Sequence, residues 1–164
     1  MRTLLLTSAF LFITGQNLFN KDLILIDSGK KEINLNTIDL QNDSVLILLW
    51  HFRCSPCIRE LDYLKEMKNH KNIQVIAVGI NLGFAFDEEI NLVKKHEWPF
   101  SFYFDSRKEL QDYLISNKMM RADKYFKNAS NGRYTIAVPQ AYLFVKKKFV
   151  TNRVTVERNC IKFN

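Results

Sequence analysis

Five apolar residues in a row, V-L-I-L-L at 45–49, run straight into W-H-F-R-C-S-P-C at 50–57. A run apolar at every position suits a strand covered on both faces, the situation of a central strand in a parallel sheet. Beyond it, Ile58, Leu61, Leu64 and Met67 recur at helical spacing to about residue 70, so the cysteine pair falls where a buried strand hands over to a helix. A sulfur at a helix N-terminus meets unpaired backbone N–H groups and the positive end of the helix dipole, both of which favour an anion. Cysteines so placed ionise more readily than free ones, from about 8.5 down to about 3.5–7.5. Cys54 is the cysteine at that position, and Arg53 beside it adds a positive charge able to hold a thiolate. Cys57, one turn deeper, is placed to attack a mixed disulfide on Cys54 and release its partner. Pro56 belongs to the first turn, where its missing N–H does no harm.

The rest of the chain supplies a sheet around that junction. L-I-L-I-D at 23–27, the turn S-G-K-K and E-I-N-L at 32–35 read as a hairpin. I-Q-V-I-A-V-G-I at 73–80 reads as a second buried strand and Phe100 to Phe104 as a third. Asp87 is expected to cap a helix with Ile90 and Val93 facing inward, and Asp105 or Ser106 to open one carrying Leu110, Tyr113 and Leu114. Residues 118–134 are polar and show no period, while Ala141–Val145 and Phe149–Val154 read as strands flanking the lysine turn 146–148. Strands alternating with helices and closing on a hairpin predict an α/β fold built on one layered sheet.

Charge and length narrow the function. With 164 residues the chain can bury a core as one domain, and three cysteines are too few for a disulfide scaffold. The net charge of +7 is scattered, without the stripe or module a nucleic-acid surface needs. The opening M-R-T-L-L-L-T-S-A-F-L-F-I-T-G has one cation and an apolar stretch from Leu4 to Ile13, short of the about 20 residues of a membrane span. It reads as a signal peptide over 1–15 ahead of a domain over 16–164, although Ile13 sits where a cleavage site wants a small residue. Export, to a periplasm or on a membrane tether, would put the cysteine pair among oxidised thiols.

On these residues the chain resembles the thioredoxin superfamily, and within it the exported TlpA/ResA-like thiol–disulfide oxidoreductases. L-W-H-F-R-C-S-P-C-I-R-E at 49–60 follows the family frame F-W-A-x-W-C-x-P-C-x-x-E, with Trp50 on its first tryptophan and Glu60 on its acid. V-P-Q-A-Y-L-F at 138–144 is similar to the family's cis-proline segment and following strand. The resemblance covers about residues 22–155 and implies a thioredoxin-like fold: a central mixed sheet flanked by helices, an N-terminal β-hairpin and a short C-terminus. It implies a redox-active Cys54–Cys57 disulfide with no further cofactor, and Glu60 as proton acceptor or tuner for Cys57. It also implies substrate contacts at Trp50, Pro56, Val138 and Pro139. Partners would be thiols and disulfides of exported proteins and a membrane-bound thiol reductant, with no nucleic acid, and the protein would act as a monomer.

Departures from the pattern matter as much. The buried acid of ordinary thioredoxins falls at Leu48, the second tryptophan at Arg53, and the helix-kinking proline at Asp62, which predicts a straighter helix. Thirty-three residues, 106–138, separate Asp105 from Pro139, and the extra segment 119–132 should hang near the site. The chain after Val154 leaves little room for a closing helix, so either that helix is short or one sheet face is less covered and available to a partner. Zinc would need two further ligands, and Cys160 with His51, His70 and His96 shows no such spacing. Copper on this fold would want C-x-x-x-C and a histidine near the proline. A peroxidase frame, P-x-x-x-[ST]-x-x-C, meets Ile47 and His51 instead. His51 is expected to pack and Cys160 to be a free thiol. The competing reading is a non-catalytic binding module that holds a partner in the groove near Pro139.

Overall fold

A computed structural model describes residues 17–67, 72–80, 85–129, 134–158 and 160–163. The expected leader over 1–15 lies outside them, as does His70.

The N-terminal hairpin forms as read: β1 (Ile24–Asp27) pairs antiparallel with β2 (Glu32–Asn34). The apolar run becomes β3 (Ser44–Trp50), followed by α1 (Ser55–Glu66) and β4 (Ile73–Gly79), parallel to β3. Next come α2 (Phe86–His96), β5 (Ser101–Phe104) and α3 (Glu109–Ser116). Two short strands, β6 (Tyr125–Lys127) and β7 (Tyr134–Ile136), precede β8 (Gln140–Val145), β9 (Lys148–Thr151), β10 (Val154–Glu157) and β11 (Cys160–Phe163). The main sheet has the order β2-β1-β5-β4-β3-β8-β9, with β3 and β4 at its centre.

Strict alternation along β3 divides the core in two. Val45, Ile47 and Leu49 face a layer with Leu110 and Leu114 of α3, Met119, Tyr142 and Phe144. Leu46, Leu48 and Trp50 face the opposite layer, with Cys57, Leu61 and Leu64 of α1 and Phe102. A strand flanked by parallel β4 and antiparallel β8 has no edge and no wet face, which is why it is apolar throughout.

Several expectations are corrected. The helix after residue 85 has Ala85 at its N-cap, and Asp87 sits in the first turn, where its carboxylate pairs with Lys30 at 2.9 Å. Asp105 does not open α3 directly. From three residues before the N-cap Lys108 it accepts the backbone N–H of Leu110 (3.3 Å) and of Gln111 (2.9 Å). Burial pushes its carboxyl up, against the pull of these Gln111 and Leu110 bonds. Residues 149–154 are not one strand. β9 stops at Thr151, the Asn152 side-chain amide donates to the Met119 carbonyl, and β10 leaves for a separate sheet with β11. That hairpin takes the place expected of a closing helix. Val156 is buried against the α1 layer, with Val154 and Ile161 packed beside it, so this sheet face is covered rather than thin. α1 runs unbroken past Asp62, whose carboxylate accepts from Trp98 Nε1 at 2.8 Å and meets His96 Nδ1 at 2.9 Å.

Candidate active site

β3 ends at Trp50, and the chain turns sharply: Cys54 N–H donates to the His51 carbonyl at 2.9 Å. Cys54 is then the N-cap of α1, in extended conformation, with Ser55 and Pro56 opening the helix. A cap is ordinarily an oxygen that accepts a free N–H of the first turn. Here the acceptor is sulfur, with Cys57 N–H donating to Cys54 Sγ at 3.2 Å. The two cysteines are joined as a disulfide, with Cα atoms 5.2 Å apart. Their surroundings differ: Cys57 is 0% exposed, packed with Leu48 and Leu61, whereas Cys54 is half-buried at the surface.

The segment across the gap comes from before β8. Val138–Pro139 is a cis peptide, and the Val138 carbonyl oxygen lies 3.6 Å from Cys54 Sγ. Tyr142 Oη donates to Gln140 Oε1 at 2.7 Å, and Gln140 Nε2 donates to the Ala137 carbonyl at 2.6 Å. Ala137 N–H in turn donates to the Lys124 carbonyl at 2.8 Å. These bonds tie residues 137–140 both to the core and to Lys124, so the described part of the 119–132 segment borders the site.

Four of the expected residues converge beside the cysteine pair, and Arg53 and Trp50 do not line the same cavity. Pro56, Glu60, Val138 and Pro139 line one cavity of about 690 Å³ beside the disulfide. Arg53 is exposed, its guanidinium 5.1 Å from the centre of the Phe52 ring. Trp50 departs furthest. It is 0% exposed, edge-on to Trp98 and Phe102, and supports the site from within the core with no surface to offer a substrate. Nothing in the family frame separates a rim tryptophan from a buried one; the alternation of β3 does, since Trp50 follows Leu46 and Leu48 inward.

Two titratable groups are displaced. Burial pushes the Glu60 carboxyl up to about 7, with the Arg59 charge opposing. Burial, then the neighbouring Arg53 charge, push the His51 imidazole down. A neutral ring fits the bond in which His51 Nδ1 accepts the Arg53 N–H at 3.0 Å, and the ring stacks on Phe52. Sequence reasoning missed the far rim: Arg121, Lys124, Asn152 and Arg153 also line the cavity. Only the unusual length of the segment after Asp105 pointed there.

Residues 18–153 match the AhpC/TSA family, most of the chain. The chain belongs to the AhpC/TSA family. Among solved structures it is similar to a thioredoxin-like protein from Porphyromonas gingivalis, at 18% identity and a TM-score of 0.58, covering 80% of this chain and 77% of that one. A thiol:disulfide interchange protein from a Bacteroides species has 17% identity and a TM-score of 0.58, covering 82% and 78%. A secreted disulfide oxidoreductase of Mycobacterium tuberculosis has 12% identity and a TM-score of 0.53, covering 80% and 84%. No curated protein matches the sequence. At these identities the neighbours establish the fold: this AhpC/TSA member is thioredoxin-like, in agreement with the superfamily resemblance read from the cysteine frame. Family and fold together support thiol redox chemistry in general. Among the described residues no helix is long and apolar enough to cross a membrane.

Proposed function

We propose that the chain is a thiol–disulfide oxidoreductase of the TlpA/ResA-like kind that exchanges disulfides with exported proteins, chiefly as a reductant. The observation that carries this reading is the asymmetry of the pair. Cys54 stands at the helix N-terminus and at the surface, and its partner Cys57 is fully buried one turn below. In the reduced protein the Cys57 N–H that now reaches Cys54 Sγ would serve a thiolate instead.

Cys54 as thiolate attacks one sulfur of a substrate disulfide. A new S–S bond forms, the old one breaks, and the second substrate sulfur leaves as a thiolate that takes up a proton. Cys57 then loses its proton and attacks Cys54 Sγ, expelling the first substrate sulfur. The substrate has gained two electrons and two protons, and the protein is left as the Cys54–Cys57 disulfide. A membrane-bound dithiol returns the electrons. Glu60, poised near neutrality inside the cavity, accepts the Cys57 proton, and the substrate backbone lies along Val138 and Pro139. Arg53 adds a screened, favourable charge at the rim.

Insulin reduction in the presence of dithiothreitol tests the chemistry. The protein should accelerate insulin precipitation and Cys54→Ser should abolish the effect, while Cys57→Ala should accumulate mixed disulfides through Cys54. A parent protein without turnover, and a variant that traps nothing, would leave the binding-module reading in its place.

A further inference from the structure

The cavity beside the disulfide has a charge character that thiol exchange alone does not require. Its near wall, α1, contributes Pro56 and the carboxyl of Glu60. Its far wall contributes three cations, Arg121, Lys124 and Arg153. Arg121 is committed: its Nε and one terminal nitrogen donate to the two carboxylate oxygens of Asp123 at 2.9 and 2.8 Å. Lys124 and Arg153 make no ion pair among the described residues.

Both free cations stand on braced backbone. The Lys124 carbonyl holds Ala137 N–H at 2.8 Å, one residue before Val138. Arg153 N–H donates to Thr151 Oγ1 at 3.0 Å, and its neighbour Asn152 is pinned to the Met119 carbonyl. Two positive charges with no ion-pair partner among the described residues thus rise from braced backbone around a concave space that Val138, whose carbonyl touches Cys54, also lines. The volume, about 690 Å³, lies within the range of about 300–1,000 Å³ of sites that take a small molecule or a few side chains.

We propose that this cavity is a specificity subsite for the residues flanking the target cysteine, and that it selects a polypeptide carrying acidic side chains there, through Lys124 and Arg153. The inference rests on the oxidoreductase reading and names its substrate class. A substrate cysteine joined to Cys54 leaves its flanking residues alongside Val138 and Pro139, and the residues next along reach the cationic wall. A basic flank would meet two like charges there instead.

The test uses otherwise identical peptides with Glu, Gln or Lys at the two positions after the cysteine. Each is presented as a mixed disulfide for exchange with the reduced protein, and with serine in place of cysteine for binding alone. The Glu peptide should exceed the Lys peptide by about tenfold in both rate and affinity, two screened pairs' worth, and the gap should narrow at high salt. K124Q/R153Q should compress the gap to about twofold, while K94Q/K95Q, which removes the same charge from the exposed face of α2, should keep it. The backbone carbonyl of Lys124, not its side chain, holds the wall, so the double variant keeps its fold. Equal behaviour of the three peptides, or a ranking that survives K124Q/R153Q, overturns the proposal. So does a charge effect confined to a small dicarboxylate disulfide such as dithiodiglycolate. Ranked binding of the serine peptides without any exchange would leave the subsite standing and remove the oxidoreductase reading instead; exchange without ranking would do the reverse.

Discussion

The two walls of the cleft around Cys54 are built on different principles. The α1 wall is anchored by its buried stripe, Cys57, Leu61 and Leu64, each with no exposed surface, packed on β3. The opposite wall is a set of short strands and turns, residues 121–127 and 134–140 with the turn at 152–153 and the start of β10. Partial packing by Tyr125, Ile136, Val138 and Val154 is joined there by individual hydrogen bonds: Ala137 to Lys124, Gln140 to Ala137, Asn152 to Met119. Packing fixes position through many weak contacts that no single polar substitution undoes, whereas each hydrogen bond is one removable tie. The difference suits a division of labour. Disulfide exchange needs its two sulfurs at a set distance, and the packed wall carries them; recognition needs a wall that can vary between relatives, and turns supply it.

The contrast breaks most visibly in the α1 wall. Leu61→Ala removes a fully buried side chain between helix and sheet, and should cost about 2–5 kcal/mol. Urea unfolding would show it, with the redox reaction weakened in proportion to the folded fraction. A loss under about 1 kcal/mol would mean that the helix is held by something other than its stripe.

In the opposite wall, Gln140→Ala removes the amide that links Tyr142 to the Ala137 carbonyl. The expected cost is about 1–3 kcal/mol, because Tyr142 Oη is left buried without its acceptor. The informative readout is local. Amide exchange at Ala137 and Val138 should speed up while amides of α1 stay protected. Equal loosening of both walls would dissolve the distinction between them.

The same difference explains what could be read from sequence. The α1 wall was legible because burial leaves a periodic trace: six apolar residues from Val45 to Trp50, then Leu61 and Leu64 at helical spacing, with the cysteines at the junction. The opposite wall leaves none. β6 and β7 are three residues each and partly exposed, meeting through an edge-on contact of Tyr125 and Tyr134, so residues 118–134 looked structureless. The break between β9 and β10 is set by one Asn152 bond to a residue far away in sequence, and a continuous V-T-N-R-V gave no sign of it. The closing hairpin was missed for a related reason: its inward positions, Val154, Val156 and Ile161, are too few to show a period. The candidate site was legible in its cysteine pair and in Pro139, but the cations that line the cavity come entirely from the wall without a trace.

Glu60 belongs to the packed wall but faces the other, and gives the smallest and sharpest test of how they meet. Its carboxyl is raised from an ordinary 4.5 to about 7 because burial outweighs the nearby Arg59. Between those values the folded protein keeps a proton that the unfolded chain has released, so stability should fall as pH rises through that window and level off above about 7. Glu60→Gln cannot lose the proton. It should match the parent at low pH and exceed it at pH about 8 by about 1 kcal/mol, a figure reduced for the solvent that still reaches the group. Parallel urea-unfolding profiles for the two proteins would show that Glu60 is not desolvated and that the walls stand further apart than the structure has them. The kinetic half is separable. If Glu60 accepts the Cys57 proton, insulin reduction should be slower in Glu60→Gln and lose its inflection near neutrality. A stability profile that changes while the rate profile does not would make Glu60 a buried acid at the seam of the two walls, with no part in moving the proton.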